Sequence, residues 1–273
     1  MKKMKLWLLR HGKCEGGNIL RGQVNVPLAD EGIEQMNRGF NKIGGLPGVI
    51  VSSSLQRCAN WSQTLANKHG LTIKLSQALT EISFGDWDGQ TFDQLYADFP
   101  EQMDAYWHAP WDKKNTAANG EHLVDFQQRV LCELASQLDD FCQSSAMADN
   151  QHWASTDASM LIVTHGGVIK AILAHILNSG QSAGLFSQFS LPYGALLGVD
   201  VYVDSRLRLN PPPLTDAKPA ADKFNDCQSK DAQAKEHVAQ DILYQKTIHK
   251  DTVQQNNENN LIGYQFSLNW PES

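Results

Sequence analysis

Two apolar runs of the chain end in the same way. Leu6-Trp7-Leu8-Leu9 closes on Arg10-His11-Gly12, and Met160-Leu161-Ile162-Val163 closes on Thr164-His165-Gly166-Gly167. Runs this short and continuous, stopped by polar residues and glycine, fit strands buried on both faces of a parallel sheet. Open α/β sheets take their ligands in a crevice just beyond the carboxyl ends of such strands. Arg10 and His11 are therefore expected to project together into that crevice, with Gly12 letting the backbone turn beneath a ligand. A guanidinium fork beside an imidazole suits phosphoryl transfer, in which the fork grips the phosphoryl group while a ring nitrogen attacks phosphorus. One Arg-His pair at a strand end is a weak signal; a second His-Gly tip in the same chain is harder to dismiss.

The segments around these tips supply the rest of an α/β pattern. Residues 13–26 read as a loop carrying Arg21 among glycines, followed by a helix from Asp30 to near Gly44-Gly45 and a strand over 48–51. Ser52-Ser53-Ser54 then offers N-cap candidates for a helix over 55–69. That helix places Arg57 in its first turn, beside backbone N–H groups that favour anions. Residues 71–75 read as a strand, 81–89 as an ordered loop, and 91–99 as a short helix that Pro100 ends. Leu123, Phe126, Val130, Leu134 and Leu138 fall at helical spacing, which predicts a long amphipathic helix over 121–141. Residues 143–157 are polar and read as a loop insertion. A helix over 168–177 and a strand over 195–203 complete the pattern.

The expected fold is α/β: a doubly wound, mostly parallel sheet with helices on both faces. It carries a helical lid insertion at about 88–126 and a polar C-terminal excursion. One α/β domain is expected over residues 1–206. Residues 207–260, rich in Lys, Asp, Gln, Asn and Pro, have too few large apolar side chains to build a core. They read as a flexible insertion with a short helix over 233–248, and residues 261–273 as an edge strand returning to pair with 195–203.

Bulk properties narrow the function. A chain of 273 residues can bury a full α/β core. Its net charge of −7 argues against general nucleic-acid binding, so any basic pocket must be local. Met1-Lys2-Lys3-Met4-Lys5 imitates the start of a signal peptide, but the apolar stretch behind it stops at Arg10 and is too short. No later run is long enough to span a bilayer. The five cysteines are scattered without metal-ligand spacing, which points to reduced thiols in a cytoplasm. No metal site and no cofactor are expected. The expected partner is a small molecule bearing a phosphoryl group, with neither nucleic acid nor membrane; an oligomer is compatible with the sequence.

Arg10-His11-Gly12, Arg57 early in its helix, Glu81 in a loop and His165-Gly166 at the second tip together resemble the histidine phosphatase superfamily, which includes cofactor-dependent phosphoglycerate mutases. The resemblance runs from Leu6 to about Val203. A finer likeness, to the α-ribazole-5′-phosphate phosphatase branch, rests on three stretches: Glu15-Gly16-Gly17 through Arg21-Gly22, residues 81–89, and Pro110-Trp111, with Gly120-Glu121 following.

The resemblance implies a role for each residue. His11 is the nucleophile and forms a phosphohistidine. Arg10 and Arg57 clamp the non-bridging oxygens, and His165, with Gly166 beside it, adds a donor to the developing charge. Arg21 lies at the pocket rim, within reach of the phosphate. Glu81 protonates the leaving alkoxide and then takes a proton from the attacking water. The implied activity is hydrolysis of a phosphomonoester, with α-ribazole 5′-phosphate of cobalamin biosynthesis as the favoured substrate. A broad-specificity sugar or nucleotide phosphatase, a phosphoglycerate mutase and a non-catalytic phosphate-binding module stay open as alternatives. Asn25, Gly17 with Asn18 next to it, Trp61 and His122 depart from the superfamily's usual residues, and these departures bear on the substrate.

Overall fold

The computed structural model describes residues 2–143, 158–203 and 264–269. The excursion expected over 207–260, its short helix and most of the loop over 143–157 lie outside the described residues. Six strands form a single sheet in the order β3-β2-β4-β1-β5-β6. They are β1 (Lys2–Arg10), β2 (Val49–Ser53), β3 (Ile73–Ser76), β4 (Ser159–Thr164), β5 (Leu196–Val203) and β6 (Tyr264–Asn269). The first four run parallel; β5 is antiparallel to β1, and β6 is antiparallel to β5 at the edge.

Side chains alternate across the sheet with a period of two, and each set meets its own layer of helices. Met4, Leu6 and Leu8 of β1 and Met160 and Ile162 of β4 face α5 (Leu123–Gln143) and α6 (Gly166–Ile176). Leu9 of β1 and Leu161 and Val163 of β4 face α1 (Asp30–Asn41) and α2 (Gln56–His69) on the other side. Phe126, Val130, Leu134 and Leu138 of α5 are all fully buried, each contributing ~1.5–3 kcal/mol of hydrophobic stabilisation. A third, smaller cluster joins Leu20 and Trp87 to Leu95 of α3 (Phe92–Asp98) and to Met103 and Tyr106 of α4 (Pro100–His108), forming the lid. The short α7 (Ala183–Ser187) packs beside α4 and α6.

Two local expectations are corrected. Ser52 and Ser53 lie in β2, and Leu55 occupies the N-cap of α2 without a side-chain bond. Asn25 fills that role from another loop: its Oδ1 accepts the Gln56 N–H at 2.8 Å. Pro100 starts a helix as well as stopping one, because its missing N–H costs nothing at the first position of α4.

The register between β1 and β4 decides where the chemistry sits. Arg10 pairs with Thr164, and the His11 N–H donates to the Thr164 carbonyl at 2.8 Å. The next residues of the two parallel strands, His11 and His165, therefore emerge side by side at the carboxyl edge. Gly12 crosses directly under α1, where an added Cβ would lie 2.0 Å from the Gly32 carbonyl oxygen. No residue but glycine fits that crossing.

Candidate active site

His11 and His165 lie with ring centroids 5.1 Å apart, in an edge-on arrangement. His11 Nδ1 is 2.8 Å from the carbonyl oxygen of Gly12, an acceptor, so Nδ1 carries the proton and Nε2 is left with its lone pair. Burial lowers the His11 pKa well below the ordinary value, and the nearby Arg57 and Arg10 guanidinium groups lower it further. The ring is held neutral, as a nucleophile must be.

Arg57 is wholly buried and organised by a loop. The Asp88 carboxylate accepts the N–H groups of Gly22 at 2.9 Å and Val24 at 3.3 Å, along with that of Gln23. The carbonyls of the same loop then accept from Arg57: Nη2 donates to Gly22 at 2.7 Å and Nη1 to Val24 at 2.8 Å. Its Nε–H donates to His165 Nδ1 at 3.2 Å. That bond places the His165 proton on Nε2, which lies 2.7 Å from Ser53 Oγ. Burial first, and then Arg57, holds the His165 pKa well below the ordinary value too.

A cavity of about 420 Å³ opens in front of His11. Arg10, Arg21, Glu81 and Gly166 stand on its wall, as the sequence leads one to expect. Arg57 and His165 are not among the residues on this wall, and three of the five Arg57 N–H donors and both His165 ring nitrogens are engaged by the protein. The acceptors come from the Gly22–Val24 loop and from Ser53, and Arg57 has two N–H groups beyond those bonds.

Arg10 donates through Nη1 to the Leu191 carbonyl, and its Nε is buried without a partner. Arg21 donates through Nη2 to the carbonyls of Glu15 at 3.0 Å and Gly17 at 2.9 Å, and its Nε is likewise unpartnered. Both unmatched donors belong to residues that line the cavity. Glu81 is set at the N-terminus of α6, where Oε2 accepts the Gly167 N–H at 3.0 Å and Oε1 accepts the Ile82 N–H at 3.1 Å. A Cβ on Gly167 would come within 2.3 Å of Oε1, so the glycine makes room for the acid. Glu121 is not on the cavity wall; it pairs with Arg129 at 2.7 Å.

The far wall is aromatic and apolar, with Phe84, Phe92, Tyr106, Trp107, Phe126 and Phe186. Trp107 alone of the three lid tryptophans lines the cavity, while Trp87 is buried in the lid and Trp111 packs edge-on against Phe186 at 5.1 Å. No His, Cys, Asp and Glu side chains among the described residues gather in a group of three or more able to hold a metal ion.

Several members of this arrangement escape sequence reasoning. The acceptor that sets the His11 tautomer is a backbone carbonyl and carries no residue signal. Ser53 looks like a helix cap. Lys170, whose Nζ donates to the Phe186 carbonyl at 2.7 Å, lies on the cavity wall. Helical spacing is the signal that could have found it, since position 170 is one turn beyond Gly166. Burial lowers the Lys170 pKa, and the Glu81 carboxylate opposes that shift.

Comparison with known proteins places this geometry. Residues 6–207 match the profile of the histidine phosphatase superfamily (branch 1). The chain is 26% identical over 201 residues to the adenosylcobalamin/alpha-ribazole phosphatase of Escherichia coli (strain K12), covering 72% of this chain and 90% of that protein. It is 31% identical over 183 residues to the glucosyl-3-phosphoglycerate phosphatase of Mycolicibacterium vanbaalenii, covering 65% and 76%. Among solved structures, a putative alpha-ribazole-5′-P phosphatase from Escherichia coli superposes with a TM-score of 0.58 at 25% identity, covering 74% of this chain and 92% of that one. The two strand tips, the neutral histidine between arginines and the profile match converge: this chain belongs to the histidine phosphatase superfamily, branch 1, and is a phosphoric monoester hydrolase.

Proposed function

We propose that the chain hydrolyses a phosphomonoester through a phosphohistidine on His11, and that its substrate is α-ribazole 5′-phosphate or a similar nucleotide of cobalamin assembly. The observation that carries the mechanism is the neutral His11 ring, its Nδ1 proton given to Gly12 and its Nε2 lone pair free. Nε2 attacks phosphorus and the ester P–O bond breaks. The departing oxygen takes its proton from Glu81, and the ring is left as a phosphorylated imidazolium. Glu81, now a carboxylate, takes a proton from water as that water attacks phosphorus. The P–N bond then breaks, which releases inorganic phosphate and restores neutral His11.

In this proposal Arg10, Arg21, His165 and Gly166 surround the phosphoryl group with Arg57. Arg57 turns its two remaining N–H bonds to an oxygen, and His165 turns its Nε2 proton from Ser53 to the developing charge. The aromatic wall supports a planar leaving group, because a flat base gains most from stacked or edge-on rings. A second reading has its own support in Lys170, whose cation beside Glu81 would suit a leaving group that bears a carboxylate. The glucosyl-3-phosphoglycerate phosphatase relative acts, by its name, on such an ester.

We also assign the one-domain arrangement over 1–206 with a lid at about 88–126, the insertion over 207–260 and the returning strand over 261–273 to this proposal, together with a reducing cytoplasm and no nucleic-acid partner. No helix among the described residues is long and apolar enough to cross a membrane. The test is a screen of phosphorylated metabolites that includes α-ribazole 5′-phosphate and carboxylate-bearing phosphate esters, with His11→Ala as the blank. A preference for α-ribazole 5′-phosphate supports the first reading, and a preference for the acidic esters that Lys170→Met abolishes supports the second. Equal rates on all esters would leave a broad-specificity phosphatase.

A further inference from the structure

Arg10 packs against two groups from different segments, the Tyr193 ring and the backbone of Gly166. The Tyr193 ring lies 4.3 Å from the guanidinium carbon. Gly166 also lies close, and a Cβ there would sit 3.4 Å from Arg10 Nε and 3.6 Å from Cζ. The guanidinium is therefore packed against an aromatic ring and a stretch of bare backbone. Its Nη1 is tied in its own plane to the Leu191 carbonyl, two residues before Tyr193. The Tyr193 ring also stands 5.8 Å from the His11 ring, tilted by 46°.

The loop that carries Tyr193 is fastened to the nucleophile's strand by its backbone. The Arg10 N–H donates to the Ala195 carbonyl at 2.9 Å, and the Gly194 N–H donates to the His11 carbonyl at 3.3 Å. Gly194 has a φ of +69°, and a Cβ on it would lie 2.5 Å from the Gln35 carbonyl oxygen. The loop thus has little room to shift, although the Tyr193 side chain itself is 37% exposed at the cavity mouth. A ring carried on so constrained a backbone orients the guanidinium packed on it.

From this geometry we infer that Tyr193 is a positioning residue: its ring and Gly166 fix the plane of Arg10, so that the free Arg10 N–H groups meet the phosphoryl oxygens as the transition state forms. The inference rests on the phosphohistidine reading of the site. It assigns the work to the ring face, not to the phenol hydroxyl. A stacked cation of this kind supports about a tenfold effect on rate when the ring is removed.

The experiment uses the full chain with p-nitrophenyl phosphate as substrate, and vanadate and inorganic phosphate as inhibitors. Vanadate takes up the five-coordinate geometry of the transition state, whereas phosphate mimics the product. Tyr193→Ala is expected to lower kcat about tenfold with KM changed less than about threefold. Vanadate inhibition should weaken about tenfold, in step with kcat, while phosphate inhibition stays within about threefold. Tyr193→Phe should stay within about twofold of wild type. In an Arg10→Lys background, where no planar group remains to be stacked, Tyr193→Ala should cost less than about twofold.

Three outcomes would each overturn the inference: a Tyr193→Phe loss equal to that of Tyr193→Ala, an equal weakening of phosphate and vanadate, or an undiminished loss in the Arg10→Lys background. Urea unfolding of each variant separates a misfolded protein from a misplaced Arg10, and Tyr193→Phe keeps the test decisive if the alanine variant unfolds. A wild-type protein no more active than His11→Ala would instead sink the underlying reading of the site, and the inference with it.

Discussion

The two ends of the cavity are built by different means. At the end that holds His11, backbone groups and buried side chains fix His11, Arg57, His165 and Glu81 by hydrogen bonds of 2.7 to 3.2 Å. At the aromatic end, rings from α4 and from the 81–89 loop meet at centroid distances of 5.0 to 6.0 Å, as for Tyr106 with Trp107 and Phe84 with Tyr106. Hydrogen bonds to backbone leave one geometry, whereas apolar packing tolerates exchange of residues of similar volume. The charged groups are thus anchored at the sheet, and the aromatic wall belongs to segments whose apolar packing tolerates exchange.

Variants can break or sharpen that contrast. The largest effect belongs to His11→Ala, expected to lower kcat on p-nitrophenyl phosphate at least ~10³-fold; activity within tenfold of wild type would mean that the nucleophile lies elsewhere. In kcat/KM, which reports formation of the phosphohistidine and not its hydrolysis, Glu81→Gln is expected to cost ~10²-fold on an alkyl phosphate but less than about fivefold on p-nitrophenyl phosphate, whose phenolate leaves without a proton. Equal kcat/KM losses on both esters would remove Glu81 from the role of acid.

A smaller effect concerns stability. His11 and His165 are held neutral by burial, so below the ordinary histidine value of ~6.5 the unfolded chain takes up protons that the folded rings refuse. Stability contributed by these rings is full above that pH and falls as the pH drops, by up to ~1.4 kcal/mol per pH unit for each histidine. Urea midpoints measured from about pH 7.5 down to about pH 5, a window set around that value, should show this limb, and His11→Asn should flatten it. The smallest effect is assigned to the far wall. Trp107→Ala is expected to raise KM for an ester of a planar base by about three- to tenfold and leave kcat alone. A fall in kcat on glycerol phosphate would show that the two ends are coupled after all.

What was legible in the sequence follows the same division. The continuous apolar runs of β1 and β4, the two His-Gly tips and the position of Arg57 in its helix are local patterns, and each appears in the fold. The partners that fix their geometry come from far along the chain. Leu191 holds Arg10 across 181 positions, Ser53 meets His165 across 112, and Asn25 caps α2 from a loop 31 residues before it. Serines just before a helix satisfy every local rule for a cap, so Ser53 gave no sign of facing a histidine. Arg57 looked like a free cation because no spacing rule relates it to the Gly22 and Val24 carbonyls.

The Asp88 carboxylate collects three N–H groups from residues 22–24, and carbonyls of that loop hold Arg57 against His165. Anyone exchanging the lid to retarget the enzyme would therefore do well to place the upstream splice after position 88. A transplant that began one residue earlier would import a foreign side chain beneath the loop and silence the donor scaffold's chemistry, however well the new lid fitted its cargo.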